Sequence, residues 1–448
     1  MIQVSPTSDT DRQTSAQKRE AYLNQLLDAA RSSQTNLDWL HELQEQAAVR
    51  VHEQSFPTTR DEEWRFTDLS SLMQVKFQAV PQHYAAANVG SVEDFTLPEV
   101  ENARLVFVNG VYSPSLSILN ELPEGLQVSN LSALSPQQSD RLQPYLGKQA
   151  GAEEVFTALN TAGLTDAAVI WVAKNAAIDI PIHLLFVSTT GEQPALIQPR
   201  VLVIAEPNSA VTLIEDHVAV GEGVYFTNSV TEIWVEENAE VKHTRLQRDG
   251  HAAFHIGKTA VSQARTARYT CNTISFGAQL SRHHLNIYQT GEQTETTLNG
   301  LAMIAGEQLA DLHSAIALTK PYGISRQLHK CIVDDKAHAV FNGKVFVPQA
   351  AQMTDAGQLN RTLLLSPKAR VDTKPQLEIV ADNVKCTHGA TVGQLEADEL
   401  FYLQSRGIDT DSARNLLVYA FAYEVIDQVP LDSLKQVLSR LVTSTGRL

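Results

Sequence analysis

Two periodicities share this chain. Residues 18–51, KREAYLNQLLDAARSSQTNLDWLHELQEQAAVRV, repeat apolar positions at helical spacing, with Leu37, Leu40, Leu43 and Ala47 on one stripe, and predict two helices. In PTTRDEEWRFTDL, Thr59 and Glu62 stand at capping-box spacing, which predicts a further short helix. From Ala103 the texture becomes short β-rich runs. LVFV and VYS flank Asn109-Gly110, the dipeptide suited to the positive φ angles of a type I′ hairpin. A helical interlude, LSPQQSDRLQPYLG and EEVFTALNTAGL, leads into AVIWVAKNAAIDIPIHLLFVST, after which strands dominate to about Val392. Past Gly393 the period returns to 3.6. EADELFYLQSR ends at Gly407, a natural C-terminal cap, and Asp409 or Thr410 can start SARNLLVYAFAYEVI. A last helix aligns Leu434, Val437, Leu438, Leu441 and Val442.

The strand region repeats. VLVIAEPNSAVTLIE from Val201 and TEIWVEENAEVKHTR from Thr231 align without gaps, pairing Val203 with Ile233, Asn208 with Asn238 and Val211 with Val241. A looser repeat of about fifteen residues lays LLLSPKARVDTKPQ over LEIVADNVKCTHGATVG, so that Ala369 matches Val384 and Val371 matches Cys386. NGLAMIAGEQLADLH from Asn299 and NGKVFVPQAAQMTD from Asn342 read as distant rungs that share an Asn-Gly corner. Such units bury a face only by stacking, which makes a parallel β-helix the economical fold. The expected organisation is mainly β: an N-terminal helical region with a hairpin at 1–165, a β-helix at 166–393 and a C-terminal helical domain at 394–448.

Composition narrows the function. The chain has 448 residues and a net charge of -16, which disfavours nucleic acid and anionic membrane as partners. Its opening is polar and no apolar run has the length of a membrane span, so a cytoplasmic protein is expected, or a stromal one after processing. Cys271, Cys331 and Cys386 are far apart and form no CxxC pair, which argues against a disulfide framework or a self-contained zinc site. On an extended strand Val384, Cys386 and His388 share one face, opposite Lys385 and Thr387. A thiolate and an imidazole side by side suit iron-sulfur chemistry. The fifteen-residue repeat nevertheless puts Cys386 where Val371 stands, the place of a small core residue, so Cys386 is either ligand or core. His329 with Cys331, and His283 with His284, are further pairs whose ordinary reading is packing; Cys271 reads as core.

Three segments together carry a resemblance: PTTRDEEWRFTDL, FTALNTAG, and KCTHGATVGQL followed by LFYLQSRGIDTDSARNLLVYAFAYEVI. They resemble the SufD branch of the SufB/SufD family of iron-sulfur cluster assembly proteins, with HGATVG where the SufB branch has a HEA-type sequence. The resemblance implies a right-handed parallel β-helix between two helical regions. It implies a non-catalytic scaffold subunit that supports cluster formation and iron supply, paired with SufB near Ala381 to Thr391, or with a second copy when SufB is absent. The SufC ATPase would be held by the C-terminal helices. The cargo would be a transient iron-sulfur cluster or iron shared with SufB, with His388 and Cys386 as this chain's ligands, and none held stably by the isolated chain. No GxxxxGK[ST] motif occurs, so ATP hydrolysis by that route belongs elsewhere. Two readings compete. One is a purely structural β-helix partner without ligands. The other is a carbohydrate-active β-helix enzyme, for which no repeated carboxylate position stands out.

Overall fold

A computed structural model describes residues 9–31, 37–80, 89, 92–191 and 193–445. Its centre is a parallel β-helix of about 8 turns. Successive strands fall alternately into two sheets, because each turn of chain crosses both. Sheet I stacks Arg200–Ala205, Tyr225–Val235, Phe254–Gln263, Leu280–Gln289, Leu309–Ala317, His338–Val347 and Arg370–Ile379. Sheet II stacks Ala210–Val220, Glu240–Asp249, Arg268–Gly277, Glu295–Ile304, Ile324–Val333, Asp355–Leu364 and Lys385–Gly393. The gapless repeat is the stacking repeat: Val203 lies beside Ile233 and Val211 beside Val241 in parallel register. Side chains of both sheets meet in a shared interior that includes Val203, Val211, Ile233, Val241, Ile287 and Val345. The shorter repeat relates strands in opposite sheets instead. Cys386 stacks on Ala356, and Val371 on Ala339.

One corner of every turn carries a left-handed residue. Asn175, Asn208, Asn238, Thr266, Gln293, Tyr322 and Met353 all have φ between 56 and 66. Each donates its backbone N–H to a carbonyl of the following turn, as Asn208 does to Glu237 (2.9 Å) and Tyr322 to Gln352 (3.0 Å), so the conformation is held by the stack. The early asparagines add a side-chain ladder: Asn238 donates to Asn208 Oδ1 (2.9 Å) and Asn208 to Asn175 Oδ1 (2.8 Å). Asn299-Gly300 and Asn342-Gly343 are not corners. Both lie inside strands, in different sheets, where the glycines leave room for other side chains. A Cβ on Gly300 would stand 2.1 Å from His329 Nδ1, and one on Gly343 2.1 Å from Gln358 Nε2.

The first end of the β-helix is closed by antiparallel strands. Ala103–Val108 turns through Asn109 (φ 52) and Gly110 (φ 82) into Val111–Tyr112, the expected hairpin, and also pairs with Ile118–Leu119. Leu126–Asn130 closes sheet I by pairing antiparallel with Ala168–Val172. Helices Asp9–Ala30, Asp38–Glu53 and Val155–Ala162 belong to the N-terminal region; Leu26, Val51, Phe56 and Phe156 meet Phe226 and Phe254 of sheet I in one cluster. The capping box at Thr59 and Glu62 does not form. Asp61 instead accepts from the Thr58 N–H (2.7 Å), and Glu62 pairs with Lys374 (2.7 Å). A capping box forms at Ser135 and Gln138.

After Gly393 come helices Ala397–Ser405, Thr410–Ile426 and Asp432–Thr445. Gly407 is left-handed (φ 85), and Asp409 Oδ1 caps the Ser412 N–H (3.0 Å). Val418, Ala422, Val425, Leu434, Leu438 and Val442 pack on the outward Ile214, Leu246, Ile274, Leu301 and Ile332 of sheet II. Full burial of such a side chain stabilises by roughly 1.5–3 kcal/mol, so these helices and that sheet face depend on each other.

Candidate functional site at the open end of the β-helix

The two sheets finish differently from the way they begin. Arg370–Ile379 and Lys385–Gly393 each pair on one side only, with His338–Val347 and Asp355–Leu364. Their other edges are bare. Because neighbouring residues of a strand face opposite ways, Val384 and Cys386 turn into the interior, packed on its apolar core, while Lys385 and Thr387 are exposed. His388 follows Cys386 on that face, but no turn lies above it, and its side chain is exposed. Gln358, buried at 4% exposure, is its neighbour in register on the turn beneath. Burial pushes the half-buried Cys386 thiol above its ordinary pKa. Cys386 therefore has a core residue's position and an uncharged thiol, and His388 has the access.

The other sequence candidates lie apart from this end. Cys331 is fully buried and its thiol is pushed up to about 12 by burial, while burial alone brings His329 down to about 4, which keeps the imidazole neutral. His329 packs on Phe341 with ring centroids 4.7 Å apart. His283 and His284 face opposite sides of sheet I. His283 contacts Thr259 Oγ1 inside (3.0 Å), and His284 faces Glu154 outside (3.7 Å). Cys271 is buried in the interior core.

Sequence reading missed what surrounds Cys271. Early turns of the β-helix enclose a charged network in which Glu215 contacts His217 (2.8 Å), His243 (3.2 Å) and Arg245 (3.4 Å), and Asp249 contacts His255 (2.8 Å) and Tyr225 (2.9 Å). Burial opposes the charge on Glu215, but hydrogen bonds with His217 and His243 outweigh it and hold the carboxyl well below its usual range. His243 is likewise pushed up to about 9: burial opposes the proton, and Cys271 and Glu215 hold it. The signal was available in Glu215/His217 and His243/Arg245/Gln247/Asp249, polar residues at period two, while Ile214 and Leu246 on the opposite face pack with the C-terminal helices.

Seven of the twelve large apolar side chains that stand exposed among the described residues lie between Ile379 and Tyr423. Ile379, Val380 and Val392 rim the open end; Phe401, Tyr402, Leu416 and Tyr423 belong to the helices. Helix Ala397–Ser405 has no buried residue. A cleft of about 440 Å³ reaches His388, Thr387, Gln358 and Arg326. A larger one of about 700 Å³ lies between Glu53–Trp64 and the outer face of sheet I, but its buried cations already pair, Lys258 with Glu154 and Arg282 with Asp311. Among the described residues no three His, Cys, Asp or Glu side chains converge to hold a metal ion, and no helix is long and apolar enough to cross a membrane.

Comparisons agree over most of the length. Residues 17–184 match the family model described as SufBD protein N-terminal region, and 186–421 the one described as SUF system FeS cluster assembly, SufBD core domain. An iron-sulfur cluster assembly SufBD family protein of Synechocystis is 49% identical over 395 residues, covering 86% of this chain and 87% of its own. The chloroplastic protein ABCI7 of Arabidopsis thaliana is 36% identical (87% and 83% covered), and the iron-sulfur cluster assembly protein SufD of Escherichia coli 33% (86% and 88%).

Proposed function

The chain belongs to the SufBD family of iron-sulfur cluster assembly proteins, and from that premise we propose that it is a scaffold subunit whose open β-helix end completes a transient cluster site with SufB. The observation that carries this reading is the exposed imidazole of His388 on the last turn, at the end where each parallel stack finishes in a long edge strand. A bare strand edge is an association site unless blocked, so SufB, or a second copy in its absence, covers Ala381 to Thr391. An iron-sulfur centre usually takes four protein ligands, and this end offers His388 with Cys386 as a lesser second. The remainder come from the partner. An incomplete site also suits a scaffold, because a complete one would retain its product. Cys386, held as a thiol by burial, contributes less than His388. The SufC ATPase docks on the C-terminal helices, for which the uncovered aromatics Phe401 and Tyr402 are the recognition surface.

The test is reconstitution of the assembled complex with iron, sulfide and ATP, followed by ultraviolet-visible absorption. His388→Ala leaves the complex and its ATPase intact and lowers cluster yield; Cys386→Ala lowers it less. Normal yield from an intact His388→Ala complex returns the chain to a structural partner without ligands. For the second surface, a Phe401→Ser/Tyr402→Ser variant loses SufC in a pull-down while its thermal midpoint stays unchanged, since neither side chain is buried.

A further inference from the structure

We infer that Gln358 is a positioning residue for His388: its side-chain carbonyl accepts an imidazole N–H and turns the other ring nitrogen out of the open end. The inference rests on the reading that His388 meets the cargo, and deepens it.

Amide-to-amide side-chain ladders in this β-helix run with one polarity. Asn238 donates to Asn208, Asn208 to Asn175, and Asn299 to Asn272 (2.9 Å), always from a later turn to the equivalent residue one turn earlier. The interior column beneath His388 follows the rule. Gln358 Nε2 donates to Gln327 Oε1 (3.4 Å), and that oxygen also accepts from Ser314 Oγ (2.9 Å), which fixes which way the lower amide faces. With its nitrogen committed downward, Gln358 presents Oε1, a buried oxygen that has no hydrogen-bond partner. The next residue of the column, one turn later and directly in register, is His388. It is exposed, so its ring is free to rotate onto that oxygen. An unpaired buried acceptor carries a desolvation penalty, which an imidazole N–H relieves. The space is also built for the amide. Gly343 lies against it, and any Cβ there would stand 2.1 Å from Gln358 Nε2. A carbonyl oxygen on one ring nitrogen sets the tautomer and leaves the other nitrogen's lone pair for a metal, the usual division of labour around ligating histidines.

The experiment compares wild type with Gln358→Met, which keeps volume and loses the acceptor, and Gln358→Glu, which keeps an acceptor oxygen. Long-range ¹⁵N correlation spectra of the full chain with labelled histidine, taken at about pH 8 where an ordinary imidazole is neutral, identify His388 by difference from His388→Ala. Wild type shows two widely separated ring-nitrogen shifts of one tautomer. Gln358→Met shows averaged shifts and, in the assembled complex, about tenfold slower cluster formation, the scale of other outer-shell substitutions. Gln358→Glu restores both. Gln327→Met, which removes the oxygen that orients Gln358 without touching the last turn, averages the shifts in part and serves if Gln358→Met fails to fold. Unchanged His388 shifts in folded Gln358→Met or Gln327→Met, or no recovery in Gln358→Glu, overturns the inference. Normal cluster yield from His388→Ala instead overturns the ligand reading, and the ring-nitrogen shifts still decide on Gln358.

Discussion

Burial reverses the usual chemistry of several side chains here, and His329 shows it most simply. Its imidazole is buried, both ring nitrogens lack partners, and burial alone brings its pKa down to about 4. In the unfolded chain the same group titrates near its ordinary value of about 6.5. Between those values the unfolded state binds the extra proton, so this contribution to stability is complete above about pH 6.5 and is lost as pH falls toward about 4. His255, also near 4, acts in the same direction. His329→Gln should therefore reduce the slope of unfolding free energy against pH by up to one proton, about 1.4 kcal/mol per pH unit, within that window. Urea titrations at several pH values measure it. An unchanged slope would mean that His329 takes up its proton in the folded state. His388, one column over and two turns later, stands exposed because no further turn covers it.

At the scale of strands and corners, much was legible because stacking writes itself into the sequence. Val203 over Ile233 and Asn208 over Asn238 were readable, since equivalent places one turn apart demand the same size or the same backbone. The later corners were not, because Thr266, Gln293, Tyr322 and Met353 adopt left-handed backbone against their own preference, held there by hydrogen bonds to the next turn. Asn299-Gly300 misled for the complementary reason: a dipeptide that favours turns sits mid-strand because His329 needs the space. Gly300→Ala should accordingly cost about 1–3 kcal/mol, as overpacking does, since the added carbon would meet a ring that cannot retreat from Phe341. Gly393→Ala, whose Cβ meets nothing within 4 Å, should stay within about 0.5 kcal/mol of wild type. Equal shifts of the urea midpoint for the two would refute the packing account. That His388 shares the face of Cys386 could be read from period-two alternation; Gln358 beneath it could not, because nothing in the local sequence reveals which residue thirty positions earlier lies in register.

The whole molecule is polar in the geometric sense: one end of the β-helix carries short antiparallel strands and the other finishes in two long parallel edge strands. The proposed association through the bare edge can be tested apart from folding because a parallel strand directs the backbone groups of alternate residues to opposite sides. Lys385 donates its N–H inward to Thr354 (2.8 Å), so by alternation Thr387, Gly389 and Thr391 also face the strand Asp355–Leu364, while Cys386, His388, Ala390 and Val392 aim their N–H groups outward. Proline removes a donor at whichever side it is placed. Ala390→Pro removes one that only a partner can use, and at an exposed edge should change the thermal midpoint little while weakening association with SufB or with a second copy. Thr391→Pro removes a ladder bond within the chain, at a cost of about 3 kcal/mol on the scale of an interrupted backbone hydrogen-bond pattern, and should lower the midpoint. Sedimentation velocity on each variant, alone and mixed with SufB, reads the association; calorimetry reads the fold. If Ala390→Pro associates as wild type does, the partner does not continue the sheet strand to strand, and the contact passes through the exposed side chains of Ile379, Val380 and Val392 instead.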